Sequence, residues 1–469
     1  MLKLKLISFK ISQGKGSDST KELKELANAY KLGEAISLEQ WQKAGLPVSK
    51  RLLERRGIEG DLALMLKTLV APSWAIDALK KIGEIDSTVG GHRGSVMAIT
   101  ISNDGKHLYS ADTAGVIKII DLAAWLKAKR EKEERAAVAT IKVSPTKETI
   151  RAVVPSPAGD FLYYGGHNGM LGIIDLKSEN ATIKIIAPAV SGQTGDILTL
   201  ALSPNGKYLS AGGRDGAIKI IDLEAFRKAD NNEEEQKAAI TTIDVTVGGH
   251  TNAVRKVSFS PDGKYLFSGS ADGTAKIIDL EAFIKAGKNE EGKKLAIRTI
   301  EAESGDNSNW IHNVFPSPEG KYLYFASNTA IKIVELEPFM RAEEPKEKLA
   351  VIKTIKKIED EEGIGATILS PDGKYLYFEM ASRFSSGSYL KRMDMEEWLK
   401  IEGKETWDRS VLVREMDGKV ADTTEERTTL GSNLVFNPGG KYLYVEDNVV
   451  RMNGERAGQS INIFEIIEE

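Results

Sequence analysis

The chain has 469 residues and carries 64 lysines and arginines against 68 aspartates and glutamates, a formal charge of -4. Hydrophobic residues at 41% suffice for a core and charged residues at 28% for a solvated surface, which excludes the disordered and membrane-spanning classes. The charge balance gives no bulk attraction to phosphate backbones or anionic lipid, so neither nucleic acid nor a membrane is the expected partner. Cysteine is absent, which excludes disulfides, thiolate chemistry and cysteine-held zinc or iron-sulfur centres, and agrees with a reducing, cytoplasmic location.

Residues 1–79 stand apart. Met1 to Lys10 alternates like a strand and lacks the continuous apolar stretch of a signal peptide. Ser19 with Glu22 and Ser37 with Gln40 have capping-box spacing, and Leu23, Leu26, Ala27 and Tyr30 share one helical face. Gly45, Pro47, Gly57 and Pro72 punctuate helices expected near 38–44, 49–56, 60–70 and 73–82. The reading is a small helical extension that docks a second partner. Lys50, Arg51, Arg55 and Arg56 give it the outline of a helix-turn-helix, the basis of an alternative reading as a nucleic-acid adaptor. Trp41 stands where that motif needs a small residue, which favours a solvated or docked helix instead.

From residue 80 onward one phrase returns seven times, beginning at Ser102, Ser156, Ser203, Ser260, Ser317, Ser370 and Asn437. Its fullest form is Ser260-Pro-Asp-Gly-Lys264. Proline presets φ, the acid can bond its own backbone, and glycine accepts the positive φ that ends a tight turn. In blade four an alternating stretch, Ala253 to Phe259, precedes the turn, and Lys264 to Ser268 follows it. A glycine turn then leads to Ala275 to Leu280, and Leu295 to Ile300 adds a fourth strand. Four strands make one blade of a β-propeller.

The turn glycines are 47 to 67 residues apart, longer than the usual repeat of about 40 to 45. The excess follows the third strand, where a helical phrase recurs around Trp125, Phe226, Phe283, Phe339 and Trp398, aromatics expected to anchor each helix to its blade; of the six blades whose third strand leads on to a fourth, only the second lacks it. Fourth strands are expected at 138–143, 183–186, 240–245, 295–300, 351–355 and 411–414. The seventh is missing after Ile461 to Ile466, and Ile85 to His92 matches Ile243 to His250, so residues 80–88 should close blade seven from the other end of the chain. The domains are therefore 1–79 and 80–469, the second an all-β, seven-bladed ring.

Along blade four, Gly249-His250, Ser260-Pro-Asp-Gly-Lys264, Ser268 to Gly273 and Lys276 to Leu280 resemble the WD-repeat family. In that family a histidine, a strand-b serine or threonine, a turn aspartate and a strand-c tryptophan form a buried hydrogen-bonded set. The resemblance carries three of these structural roles to His250, Ser268 and Asp272, and two to His92 and Ser110 of blade one, where Ala114 stands for the aspartate. Blade three keeps Ser210 and Asp215 with Gln193 for the histidine. The tryptophan position is Ile278, with counterparts Ile120, Ile174, Ile221, Val334, Met393 and Phe464, so no blade has the namesake residue. The resemblance implies a rigid scaffold for protein partners.

No chemistry competes with that reading. The five histidines lack metal-ligand spacing, neither a nucleophile elbow nor a phosphate-binding loop occurs, and Glu303 to Asn309 lacks the terminal glutamate of a calcium loop. No cofactor and no catalytic residue is expected; a lactonase-like or hydrolase-like propeller with a central-channel site is the enzymatic alternative. Partner contacts are expected on the loops from strand d to a and from b to c, above all at Arg383 and Phe384 in blade six and Arg451 and Arg456 in blade seven, with Trp310 and Arg214 extending the surface.

Overall fold

A computed structural model describes residues 79–86, 91–143, 148–178, 181–186, 191–230, 232–301, 310–341, 351–356, 361–382, 388–400, 413–415, 426–451 and 456–466. The helical reading of residues 1–78, the calcium-loop candidate and Arg383 with Phe384 all fall outside these residues.

Seven four-stranded antiparallel sheets are described, and in six of them the strands follow chain order. Blade four shows the plan: strand a is Val254–Phe259, b is Tyr265–Ser270, c is Thr274–Asp279 and d is Ile297–Glu301. Between a and b the turn folds as its residues dictate. Gly263 has φ of 73°, its N–H donates to the Ser260 carbonyl at 2.9 Å, and Asp262 accepts from Ser260 Oγ at 2.5 Å and from Lys264 N–H at 3.0 Å. All seven turn glycines have positive φ, where a Cβ would be strained. The turns also stack around the ring. A Cβ on Gly263 would lie 3.6 Å from the ring of Pro204 one blade back, and one on Gly105 would lie 3.1 Å from Pro438 of blade seven.

Blade seven is built from both ends of the chain. Its strands are Glu426–Phe436, Tyr442–Arg451 and Arg456–Ile466, and its outer strand is Leu79–Ile85, paired from Leu79 with Ile466 to Ile85 with Ile461. The closing strand thus lies at 79–85 where the sequence suggested 80–88. Some other boundaries differ. In blade four the helix Glu290–Leu295, capped by Asn289, runs through Leu295 and leaves it 81% exposed, so strand d starts at Ile297. In blade three strand d is Ile240–Ile243, because Asp244 caps a turn of 3-10 helix, Val245–Val247. In blade six it is Val413–Glu415 rather than 411–414.

The b-to-c loop expected to carry Arg451 and Arg456 is largely a hairpin. Asp447 pairs with Ser460, Asn448 with Gln459 and Val449 with Gly458, because Val449 and Val450 favour continuation of the strand. Arg451 and Arg456 therefore sit at the facing ends of two long strands.

The core lies between blades. Each apolar cluster joins neighbouring sheets, as where Ile218, Ile220 and Ile243 of blade three meet Val257, Leu266, Ile278 and Phe283 of blade four. The helices after strand c belong to these clusters. Asp121, Asp222 and Asp279 cap helices Leu122–Lys127, Leu223–Lys228 and Leu280–Ala286, whose aromatics Trp125, Phe226 and Phe283 are buried.

Because Leu79–Ile85 pairs along Arg456–Ile466, removal of residues 1–86 should expose the backbone of that strand. The expected outcome is an aggregating chain without a cooperative thermal transition. Appending residues 79–86 after the C-terminus of the truncated chain should restore a monomer in size-exclusion chromatography.

Candidate functional site: a buried triad and an arginine rim

The histidine of blade four is held as a hinge pin between loop and sheet. His250 Nε2 lies 2.8 Å from Ser268 Oγ and Nδ1 lies 2.9 Å from Asp272, which also accepts from the N–H groups of Thr251 and Thr274. Burial disfavours the charged imidazole and pushes His250 down, against the pull of Asp272. Burial works in the opposite direction on Asp272, yet the hydrogen bond and charge of His250 hold its carboxyl well below the usual range.

Blade one makes the same arrangement with a displaced acid. His92 Nε2 is 2.8 Å from Ser110 Oγ and Nδ1 is 2.8 Å from Asp112, whose other oxygen accepts from Ala114 and Val116 N–H at 2.9 Å. The expectation that Ala114 leaves this blade without its aspartate is therefore corrected. Asp112 lies two residues earlier, at the end of strand b, and its carboxylate reaches both the ring and the turn.

Blade three corrects a second reading. Ser210 pairs with Ile220 across the strands, whereas Ser268 pairs with Lys276 and Ala211 with Lys219. Alternation therefore puts Ala211, and not Ser210, at the serine position. The buried Ser210 Oγ has no partner among the described residues, and Gln193 bonds Asp215 directly at 2.6 Å. At the tryptophan position Ile278, Ile120, Ile174, Ile221, Val334, Met393 and Phe464 are all buried, so apolar packing occupies the place of the fourth hydrogen-bonding partner.

Above these pins, three arginines converge where strands a begin. Arg151 is the second residue of strand a in blade two and Arg255 the second in blade four, while Arg214 lies in the b-to-c turn of blade three. Asp196 is shared by two of them, 3.2 Å from Arg151 Nε and 3.7 Å from Arg214 Nε, and lies 2.9 Å from His167 Nδ1. Arg255 has no carboxylate within ion-pair distance among the described residues. Its guanidinium stacks 4.8 Å from the ring of Trp310, and burial together with the charges of Arg214 and Arg151 disfavours its protonated form. Trp310 remains 43% exposed and the Arg214 side chain 63% exposed. Two guanidiniums share one carboxylate and the third has none, which leaves an excess of two positive charges beside an open aromatic face.

Trp310 and Arg214 were thus legible candidates, and the structure brings them to one patch through Arg255. Arg151, Arg255 and Asp196 were missed. The available signal was positional: both arginines stand five residues before the turn serine of their blade, at Ser156 and Ser260. Arg451 and Arg456 lie in blade seven, away from this group in the ring. Among the described residues no cluster of three histidine or acidic side chains could hold a metal ion, and no helix is long and apolar enough to cross a membrane.

The pattern of the WD domain, G-beta repeat, matches residues 83–121, 187–222 and 242–279, which contain the histidines and glutamine just described. These three segments thus match the WD repeat, within a ring that is a seven-bladed β-propeller. No curated protein matches the chain. A solved chain from the "Crystal Structure of Mitotic Checkpoint Complex" is 15% identical, with a TM-score of 0.55 over 83% of this chain and 96% of that one, a likeness of fold.

Two outcomes are expected. His250→Ala leaves Ser268 and Asp272 short of a buried partner and should cost about 2–4 kcal/mol in urea unfolding. His312 is pushed down to about 4 from 6.5, chiefly by burial and further by Arg255, so the unfolded chain takes up this proton first as pH falls. Its contribution to stability is complete above about 6.5 and is lost as pH falls toward about 4. His312→Asn should flatten that part of the stability profile measured by thermal melts.

Proposed function

We propose that this chain is a non-catalytic protein-interaction scaffold, a subunit of a larger assembly, and that its arginine rim receives an acidic segment of a protein partner. The observation that carries the reading is Arg255, an exposed side chain whose guanidinium stacks on an exposed tryptophan and is supplied with no carboxylate among the described residues. A partner carboxylate placed there would offset the repulsion among Arg151, Arg214 and Arg255 and form charge-assisted, bidentate hydrogen bonds. Trp310 adds the kind of aromatic anchor that carries much of the energy of protein interfaces. The rigid ring suits this role, since its hydrogen-bonded pins hold the rim loops without ordering cost on binding. The solved chain of similar fold belongs, by its title, to a complex, which agrees with a subunit role.

Arg383, Phe384, Arg451 and Arg456 are proposed as a second contact region on blades six and seven. Native purification followed by size-exclusion chromatography and mass spectrometry should yield a stoichiometric companion. Arg214→Glu with Arg255→Glu should weaken that association by about 10- to 100-fold, on the order of 1.4–3 kcal/mol, with little change in melting temperature. A companion held equally well by the double variant would sink the rim assignment.

A further inference from the structure

In blades one to four the residue just before strand a holds the b-to-c turn of its own blade through its carbonyl. Ser95, Thr149, Asp196 and Ala253 accept from the backbone N–H groups of Thr113, His167, Arg214 and Ala271 at 2.8 to 2.9 Å. Of these four only Asp196 is an acid, and its buried carboxylate reaches back across the seam into blade two. One oxygen accepts from Asn168 N–H at 3.1 Å and lies 2.9 Å from His167 Nδ1; the other accepts from Arg151 Nε at 3.2 Å. Asn168 is held there with φ of 54°, in the left-handed region. A single residue thus clamps the b-to-c turns of blades two and three.

That clamp divides the three arginines. Arg151 is hydrogen-bonded to Asp196 and only 26% of its side chain is exposed. Arg214 approaches the same oxygen no closer than 3.7 Å, beyond hydrogen-bond distance, and is mostly exposed. Arg255 has Trp310 for a neighbour and no carboxylate among the described residues. The acid next to Arg214 in the chain does not serve it either. Asp215 is engaged by Gln193 Nε2 at 2.6 Å and by the N–H and hydroxyl of Thr194 at 3.1 and 3.0 Å. Burial, followed by the charges of Arg214 and Arg151, disfavours the protonated form of Arg255, and no acid acts in the opposite direction. Arg151 is therefore already neutralised, while Arg214 and Arg255 carry the two uncompensated charges of the rim.

We propose that the rim takes two carboxylates of a protein partner at once, one at Arg214 and one at Arg255, and that Asp196 sets this number by occupying Arg151. The inference rests on the reading of the chain as a scaffold for an acidic segment, and it specifies that segment: two acidic side chains beside an apolar group that covers the open part of Trp310. A guanidinium receives a carboxylate through two parallel N–H bonds, so each exposed arginine is a complete receptor for one acid. One acid alone leaves a cation uncompensated among its like. A third meets no vacant guanidinium, because the place beside Arg151 is filled from within. Asp196 is a specificity-determining residue that acts without touching the partner.

The test uses the full-length chain and capped, fluorescently labelled peptides that carry no, one, two or three glutamates, with glutamine at the remaining acidic sites, in anisotropy titrations at low ionic strength. Binding should tighten about three- to tenfold with each of the first two glutamates and stay level with the third. Arg151→Gln leaves Asp196 to draw in Arg214, so the second glutamate should lose its effect. Asp196→Asn releases Arg151, so the third glutamate should gain a factor like that of the first two. Each comparison is between peptides on one variant, so a partial loss of folded protein cancels. A second glutamate without effect on the unaltered chain, a third with effect, or the same count of effective glutamates in both variants would overturn the inference and leave the acidic-segment reading standing. Equal binding of all four peptides to the unaltered chain would remove that reading as well.

Discussion

A strand at the edge of a sheet presents a row of unpaired amides and carbonyls, and a ring of sheets is stable only if that row is covered wherever the chain begins and ends. In this protein the pairing of Leu79–Ile85 with Arg456–Ile466 does so. It joins segments that lie at opposite ends of the chain, so the entropy of closing the longest loop in the molecule is met at this one sheet. The turn stack depends on it too, since Gly105 of blade one rests against Pro438 of blade seven only when the circle is complete.

Once the ring is closed, its blades are free to differ inside. Where Ser268 and Ser110 accept or donate to a histidine, other blades place Tyr164, Phe325, Phe378 and Val445 at the same register, each buried. Blade two shows the compensation most directly: Tyr164 faces Gly172, and any side chain on that glycine would collide with the tyrosine ring at 2.2 Å. Hydrogen-bonded pins and large apolar groups are alternative ways to fill the same space between sheets. The former cost desolvation of polar atoms and hold a loop in one place; the latter bury more area and leave the loop to other contacts.

That difference bears on function. Of the blades with a pin or a glutamine bridge, which are one, three and four, the last two carry Arg214 and Arg255 on a loop and a strand start whose backbone is fixed from below. A charged group binds a partner well when it is pre-positioned, because the ordering cost has been met during folding. The rim is therefore a product of the repeat's interior as much as of its surface residues.

Composition and the sevenfold turn phrase were enough to specify a closed propeller, its blade number and even the use of both chain ends, because tight turns demand particular residues and strands alternate with period two. His250, Ser268 and Asp272 could be named because the resemblance places them at fixed offsets. Local sequence could not say that Asp112 substitutes for an aspartate two residues later, or that Ser210 faces the wrong way, since a shift of one residue reverses the face of a strand. Nor could it show Arg151, Arg214, Arg255 and Asp196 meeting, because they come from three blades and are adjacent only after strands a are packed side by side around the axis. The helices' aromatics were recognisable as anchors, but which sheet each one meets was decided by the tertiary structure, in which Phe226 and Phe283 pack against the preceding blade as well as their own.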